Sequence, residues 1–181
     1  MFKLKKWKET IENYTKLLEI STNSYLAYLH LGICHIELKK FNEAIEYLDE
    51  GIKFDPDAEL YQTKGYALFC VKRYEDAVKA FKQAKRIDPN ETRYDFFFAS
   101  SYLSLKKYEQ TLNVINDMIT RDEPDVINFK RELYIFKIEA LWGLKKSNEA
   151  INLLNTALKD YPRDHILKTF LDNYTNESKS K

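Results

Sequence analysis

The sequence contains little glycine and little proline, four residues of each in 181. A protein of many short strands needs both residues in its tight turns, so their scarcity argues against an all-β fold. No stretch approaches the roughly 18 consecutive apolar residues of a membrane-spanning helix. The first ten residues, MFKLKKWKET, also lack the apolar run of a secretory signal. We therefore predict a helical protein without membrane insertion.

The sequence also has few cysteines and almost no net charge. The two cysteines, Cys34 and Cys70, form no CxxC pair. Because an isolated thiol packs like a small apolar side chain, we interpret both as core residues. This use of cysteine is typical of the cytoplasm or another reducing intracellular compartment. The formal net charge of +1 gives no overall attraction to nucleic acid or anionic lipid, so such binding would need a local patch.

Residues that could support catalysis do not occur at characteristic spacings. His30, His35 and His165 have no second histidine four residues away, and no HExxH motif is present. The glycines are scattered singly, which excludes a phosphate-binding loop. We predict a protein that is not an enzyme and that binds no cofactor and no metal, with His35 as a packed imidazole.

What the sequence does contain is an internal repeat. The segment from Leu31 to Pro56 has the pattern of two amphipathic helices joined by a turn, and its main residues return 33 positions later. A fixed period in this range indicates stacked helical repeats, so we predict an all-α solenoid of antiparallel helix pairs. The repeated residues include Gly32 and Gly65, Phe41 and Tyr74, Ala44 and Ala77, and Pro56 and Pro89.

The repeat divides the chain into about four and a half repeats and a C-terminal capping helix. The first segment aligns with the second helix of a repeat, because Trp7 stands where Phe41 stands. Proline marks several helix ends, since the residue before it is driven out of helical angles. We predict one domain at 1–175, with a half repeat at 1–22, repeats at 24–57, 58–90, 91–123 and 125–162, a cap at 163–175, and a disordered tail at 176–181.

The spacing of the repeats changes once. Successive basic pairs in the turns are separated by 33, 34 and then 39 residues, and the last interval holds about five extra residues near Arg121–Lys130. Proline suits the first turn of a helix. With Pro124 in that place, we predict a lengthened helix from about Asp125 to Leu144. The insertion either accommodates an imperfect fourth repeat or forms a contact site, and the sequence leaves both open.

The half repeat leaves an apolar stripe without a partner helix. One interpretation is that an excised or divergent repeat preceded it. The other is that a partner protein, or a second copy of the chain, covers Trp7, Ile11 and Tyr14. Self-association through the N-terminal half repeat is therefore one of our hypotheses.

These residues resemble the tetratricopeptide repeat family. Its helix-turn-helix pattern places a large aromatic, Leu-Gly, Tyr, Ala, Phe, Ala and Pro at set positions. The resemblance implies a right-handed superhelical solenoid and a protein-binding function, as an adaptor or a scaffold subunit of a larger assembly. One departure recurs, since lysine stands in the turn where the family often has glycine. In the most regular repeat the matching residues are Tyr28, Leu31, Gly32, His35, Ala44, Leu48, Gly51 and Pro56.

The resemblance also implies a binding site. In this family the first helix of each pair lines a concave groove that takes a peptide or helix of a partner. The corresponding positions here are mostly aliphatic or aromatic and only Arg93 is basic, which disfavours the carboxylate clamp of chaperone adaptors. We predict a partner helix or extended apolar segment, with packing of these side chains against each other as the alternative. The predicted groove residues are Leu29, Ile33, Ile36, Gln62, Tyr66, Phe69, Arg93, Phe96, Ser100, Leu103, Ile135 and Trp142.

Basic pairs in the turns form a second candidate surface, which we call the basic edge. Stacking of the repeats aligns these pairs along one edge, with acidic residues along the opposite edge. Lysine favours helix C-termini and acidic residues favour N-termini, which explains the pattern without a ligand. The alternative is binding of an acidic protein or nucleic acid. The lack of aromatic residues on which bases could stack makes nucleic acid the less favoured of these two ligands. The basic edge comprises Lys39, Lys40, Lys72, Arg73, Lys106, Lys107, Lys145 and Lys146.

Overall fold

The computed structural model describes residues 2–89, 91, 93–120, 127 and 129–179. These residues contain helices α1 to α10 and no β-strand, so the prediction of an all-α protein is confirmed. None of these helices is long and apolar enough to cross a membrane. The helices are α1 (Phe2–Ile20), α2 (Tyr25–Glu37), α3 (Phe41–Phe54), α4 (Ala58–Cys70), α5 (Tyr74–Ile87), α6 (Arg93–Ser104), α7 (Tyr108–Thr120), α8 (Lys130–Gly143), α9 (Ser147–Asp160) and α10 (His165–Lys179).

The chain divides into two compact units, Met1–Tyr94 and Asp95–Lys181, which we call unit 1 and unit 2. In unit 1 each helix from α1 to α5 packs against the next, and α2 also contacts α4. In unit 2, α8 packs against both α7 and α9, and α9 packs against α10. Within each unit, packing between chain neighbours gives the arrangement of stacked helical hairpins.

Local sequence signals set the helix ends of unit 1. The side chain of Ser24 accepts a hydrogen bond from the amide of Ala27 at the start of α2. The carboxylate of Asp57 accepts one from the amide of Glu59 at 2.7 Å at the start of α4. Both are N-caps, which satisfy amides that have no partner inside the helix. The second helix, α3, ends just before Asp55–Pro56, as that dipeptide predicts.

The turns inside the hairpins share one geometry. The amide of Lys39 donates to the carbonyl of Ile36 at 2.8 Å, and the amide of Lys40 donates to that of His35 at 2.8 Å. This is the Schellman motif, whose αL residue is usually glycine because glycine has no Cβ. Nothing in the packing explains why lysine stands there instead. The αL residue is the first lysine of each pair, with φ of 59° at Lys39, 63° at Lys72, 56° at Lys106 and 62° at Lys145.

The core of unit 1 depends on close approach between the two helices of a pair. A Cβ added to Gly65 on α4 would lie 2.7 Å from the ring of Phe81 on α5. In the preceding pair, a Cβ on Gly32 would lie 2.6 Å from the side chain of Leu48. These small residues therefore set the helix separation, as the repeat pattern predicts. The surrounding core residues, each at most 1% exposed, include Ala27, Leu31, Ala44, Leu60, Leu68, Ala77 and Ala84.

The helix predicted from about Asp125 to Leu144 is interrupted, because Phe129 is in a turn. Ile127 before the turn is also helical, and α8 begins at Lys130. Phe129 precedes it and stacks on Phe96, with ring centroids 4.3 Å apart, and its carbonyl accepts the amide of Leu133 at 2.9 Å. The packing of Phe129 therefore sets the start of the helix. Residues 121–126 and 128, with the role predicted for proline 124, lie outside the described residues.

The last helix is longer than predicted. We expected the cap to end at 175, whereas α10 runs from His165 to Lys179 and takes in residues 176–179 of the predicted tail. No proline or glycine follows Tyr174 to end the helix. The hydroxyl of Thr175 donates to the carbonyl of Leu171 at 2.7 Å, which is compatible with a continuing helix.

Replacing Lys39 by glycine should raise the free energy of unfolding by about 1 kcal/mol, because glycine adopts the αL conformation without the clash of a Cβ. Urea unfolding followed by circular dichroism measures the change. Lys40→Gly is the control, since Lys40 has φ of −94° and needs no glycine. Equal effects of the two substitutions would contradict a backbone origin.

Replacing Gly65 by alanine should lower the free energy of unfolding by about 1–3 kcal/mol, since the new methyl group meets the buried ring of Phe81. This loss is expected although alanine favours helix by about 1 kcal/mol over glycine. Thermal and urea unfolding of Gly65→Ala, Phe81→Leu and the double variant form the test. If the smaller side chain of Phe81→Leu does not reduce the loss caused by Gly65→Ala, the contact is not the cause.

Candidate protein-binding faces

In unit 1, α2 and α4 lie side by side and point in the same direction. At their N-terminal ends, the hydroxyl of Tyr25 lies 3.2 Å from Oδ1 of Asp57 and 3.1 Å from Oε2 of Glu59. Burial, together with these two carboxylates, raises the pKa of Tyr25. At the C-terminal ends, the charge of Glu37 on α2 acts on Tyr66 of α4. The two helices therefore present one continuous surface.

This surface carries exposed apolar side chains, and we call it the α2/α4 face. Leu26 is 56% exposed and Tyr66 is 42% exposed, which is high for large apolar residues. Leu29, which we placed in the groove, is only 3% exposed and belongs to the core, because it lies on the side of α2 that packs inside the unit. The residues of the α2/α4 face are Leu26, Ile33, Ile36, Gln62, Tyr66 and Phe69, all at least partly exposed.

Contacts inside unit 1 hold the aromatic residues of this face in place. The ring of Phe69 meets that of Tyr74 edge to face, with centroids 5.3 Å apart. The pKa of Tyr66 is raised by the neighbouring Cys70, by burial, by a hydrogen bond with Cys70 and by Glu37. Because these side chains are already ordered, a partner would lose little entropy in fixing them.

In unit 2, two aromatic residues of the predicted groove are taken up by internal packing. Phe96 stacks on Phe129, and its ring centroid lies 5.4 Å from that of Phe136. Trp142 lies parallel to Tyr174 of α10, with centroids 3.7 Å apart and an interplanar angle of 4°. For these residues the structure shows the alternative interpretation, in which the side chains pack against one another.

The other predicted groove residues of α6 and α8 differ in exposure. Ile135 is 9% exposed and packs with Leu154 and Leu167 in the core of unit 2, because α10 covers it. Ser100 and Leu103 are half-buried. The sequence pattern predicted both the first-helix positions and a C-terminal capping helix, but it did not predict that this helix, α10, covers Ile135 and Trp142.

The single basic residue of the predicted groove is neutralised locally. Arg93, which is in unit 1, is exposed, and its Nη2 and Nε lie 2.6 Å and 3.0 Å from the two carboxylate oxygens of Glu91. A bidentate pair of this kind holds the guanidinium in one geometry. Arg93 is therefore a poor candidate for holding a partner carboxylate.

All eight residues of the basic edge are exposed, four in each unit. Arg73 forms an ion pair with Asp76 at 2.8 Å, and Lys40 lies 4.0 Å from Glu43. In both pairs the acidic residue lies on the following second helix. Within the described ranges, Lys39 and Lys72 make no ion pair. Their charges are therefore available along the C-terminal end of the α2/α4 face. The other exposed members are Lys106, Lys107, Lys145 and Lys146.

The open face of the N-terminal half repeat is visible in α1. Leu17 is 38% exposed, whereas Gly51 at the same repeat position is buried. Ile20 at the end of the helix is 86% exposed. Tyr14 stacks on His30 with centroids 4.7 Å apart, so it is already covered in part by α2. Self-association through this helix stays a prediction, with Leu17 and Ile20 added to the residues expected to take part.

The cysteines and the central histidine lie inside unit 1. Cys34 is 1% exposed and Cys70 is half-buried, and burial raises the pKa of both thiols. His35 is 8% exposed, and its Nδ1 lies 3.0 Å from the carbonyl of Leu31, so this nitrogen carries the proton. It is a packed imidazole, as predicted. The described part of the chain contains no group of three or more metal-ligating side chains suited to an ion.

Unit 2 contains a half-buried acidic residue on a first helix, Glu139. Glu139 on α8 is half-buried and has no ion-pair partner among residues whose side chains are described. Burial raises the pKa of its carboxyl above the ordinary value of 4.5. An ionised carboxylate here is therefore a source of instability at neutral pH.

The hairpins, the αL turns and the first-helix faces define a class of protein, a solenoid of two-helix repeats. Two family models, both described as tetratricopeptide repeat, match residues 1–64 and 58–91, which together span half of the chain. The chain belongs to the tetratricopeptide repeat family. Solved structures of this family share its fold, which confirms the predicted solenoid architecture.

The chain matches parts of several longer curated relatives. A TPR repeat-containing protein of Methanocaldococcus jannaschii is 23% identical over 178 residues, covering 92% of this chain and 31% of the relative. Small glutamine-rich tetratricopeptide repeat-containing protein 2 of Mycosarcoma maydis is 30% identical over 81 residues, 44% of this chain and 23% of the relative. Hsp70-Hsp90 organizing protein 3 of Arabidopsis thaliana is 24% identical over 94 residues, 51% of this chain and 17% of the relative. The chain spans less than a third of the length of each.

Two solved structures are similar along most of the chain. YrrB, described as a TPR protein with an unusual peptide-binding site, has a TM-score of 0.80 and 16% identity, covering 94% of this chain and 86% of that one. A crystal structure of MamA has a TM-score of 0.75 and 21% identity, covering 85% of this chain and 82% of that one. At this identity the similarity shows the fold.

Replacing Glu139 by glutamine should raise the melting temperature at pH 7. A carboxyl whose pKa is raised by folding is more stable protonated, so stability is lost as pH rises through its titration range. Glutamine resembles the protonated form and avoids this loss. The gain should disappear below about pH 4, where the wild-type carboxyl is protonated too. Glu46→Gln, at an exposed position, is the control, and a gain independent of pH would contradict the burial argument.

Proposed function

We propose that this protein is a non-catalytic adaptor or scaffold subunit that holds a helix or extended apolar segment of another protein against the first helices of its repeats. The observation that carries the proposal is the α2/α4 face of unit 1. Leu26 and Tyr66 leave large apolar surface in water there, beside the partly exposed Ile33, Ile36 and Phe69. Burying a side chain of this kind contributes about 1.5–3 kcal/mol.

Membership of the family supports the general class. Tetratricopeptide repeats are usually modules for protein interaction. One similar protein is named an organizing protein, and another is described as having a peptide-binding site. These descriptions apply to those proteins. They support protein binding as the proposed class of activity for this chain. A chaperone adaptor is the less favoured version, because Arg93 is the only basic residue in the predicted groove and Glu91 already binds it.

Binding of a polyanion along the basic edge is the alternative. Eight exposed cations favour it, whereas the pairs of Arg73 with Asp76 and of Lys40 with Glu43 reduce the free charge. The two functions differ in their response to salt. Polyanion binding should weaken steeply as salt rises, and apolar binding should not.

The proposal predicts that replacing Leu26 and Tyr66 together by alanine abolishes capture of the partner while helical content is unchanged. Pull-down with the immobilised chain, followed by mass spectrometry, identifies proteins retained by the wild type and lost by the variant. Phe96 is unsuitable for this test, because it packs on Phe129 and its truncation would loosen unit 2.

Phe54 and Ile87 provide the matched control. Both are exposed apolar residues, at 51% and 47%, but they lie at the ends of second helices. The Phe54→Ala, Ile87→Ala variant removes a similar apolar area and should retain the partner. Because Phe54 stacks on Tyr28, circular dichroism checks that this variant is folded. Unchanged capture by the Leu26→Ala, Tyr66→Ala variant, or equal loss in both variants, would rule out the α2/α4 face.

A further inference from the structure

We infer that the partner segment on the α2/α4 face is a helix whose apolar stripe has basic residues along one flank and acidic residues along the other. The inference rests on the proposed function of that face and specifies the chemistry of its occupant. Three observations support it, namely the charges at the two ends of the face, the backbone of its lysines and the width of the face.

The two ends of the face carry opposite charge. Asp57 and Glu59 lie at the N-terminal end of α4, and both carboxylates contact the hydroxyl of Tyr25 at the start of α2. Lys39 and Lys72 follow the C-terminal ends of α2 and α4. In the last turns of these two helices the one acidic residue is Glu37. The helix dipoles act in the opposite sense, but about half a charge at a helix end is smaller than these full charges.

The middle of the face carries no cation. The two helices together contain one lysine, Lys64, and no arginine. The ammonium of Lys64 forms an ion pair with Asp49 on α3, so it is directed away from the face. A partner therefore meets an apolar centre with an acidic margin on one side and a basic margin on the other.

The basic margin is built from residues in a strained conformation. Lys39 and Lys72 have φ of 59° and 63°, where glycine would fit at lower energy. Strain of this kind clusters at functional sites, and it persists only where the surrounding structure holds the residue in place. The two ammonium groups are also unpaired within the described residues. Both facts favour a role for the charge of this margin.

The width of the face selects a helix. α2 and α4 have 13 residues each, which separates their ends by about 20 Å. A helix lying across them is about 10–12 Å wide with its side chains, so it fits between the two margins and its flanks come within reach of the charged side chains there. An extended segment is narrower, and its side chains would not span the same distance.

Three designed peptides test the inference. Each is a helix of about five turns with the same leucine stripe. One has lysine along one flank and glutamate along the other, the second has lysine on both flanks, and the third has glutamate on both. Fluorescence anisotropy gives the dissociation constants at low and high salt. The mixed peptide should bind wild type about tenfold more tightly than either uniform peptide, and the preference should shrink at high salt.

Reversing the charge of the basic margin should change which peptide binds most tightly. In the Lys39→Glu, Lys72→Glu variant both margins are acidic, so the peptide with lysine on both flanks should bind best. Lys16→Glu, Lys82→Glu is the matched control, since both lysines are exposed and lie on second helices. It should keep the wild-type order, and circular dichroism checks that all variants are folded.

The outcomes separate the two levels of the proposal. Equal binding of the three peptides, still lost in Leu26→Ala, Tyr66→Ala, would overturn the inference and leave the proposed function standing. Absence of binding by every peptide would count against both. A change of order in the variant with reversed margin, but not in the control, would establish the margins as determinants of partner choice.

Discussion

The close approach of a first helix to its second helix is the contact on which the structure depends. Gly65 leaves room for the ring of Phe81, and Gly32 does the same for Leu48. Because the separation of the helices is fixed at these points, large residues elsewhere can interlock and be removed from water. The period of the sequence is a direct result, since each repeat must bring a small residue and a large one to the same level.

The turns determine the direction of the helices and therefore which helix ends lie together on the surface. Each Schellman turn reverses the chain within a few residues, so within unit 1 the first helices α2 and α4 run in the same direction. Acidic side chains then lie at helix N-termini and basic side chains at C-termini, as Asp57 does at the start of α4 and Lys72 at its end. Local rules for helix termini thus give the α2/α4 face its two different margins.

The fold could be predicted from the sequence more completely than the site. The Asp-Pro dipeptides predicted where α3 and α5 end, because this signal acts within one helix. What covers a helix is a longer-range property. The repeat alignment therefore placed Trp142 and Ile135 in a groove, although Tyr174 and Leu167 of α10 pack against them. The start of α8 was missed for the same reason, since Phe129 is held by Phe96.

The lysines in the αL turns have a consequence for how this protein could change. At these positions the same residue determines a backbone energy and an edge charge. A substitution that relaxes the turn necessarily discharges the margin, whereas one that preserves the charge preserves the strain. Thermal stability and the charge proposed to select a partner are therefore opposed at Lys39 and at Lys72, a trade-off that improved core packing could offset but not remove.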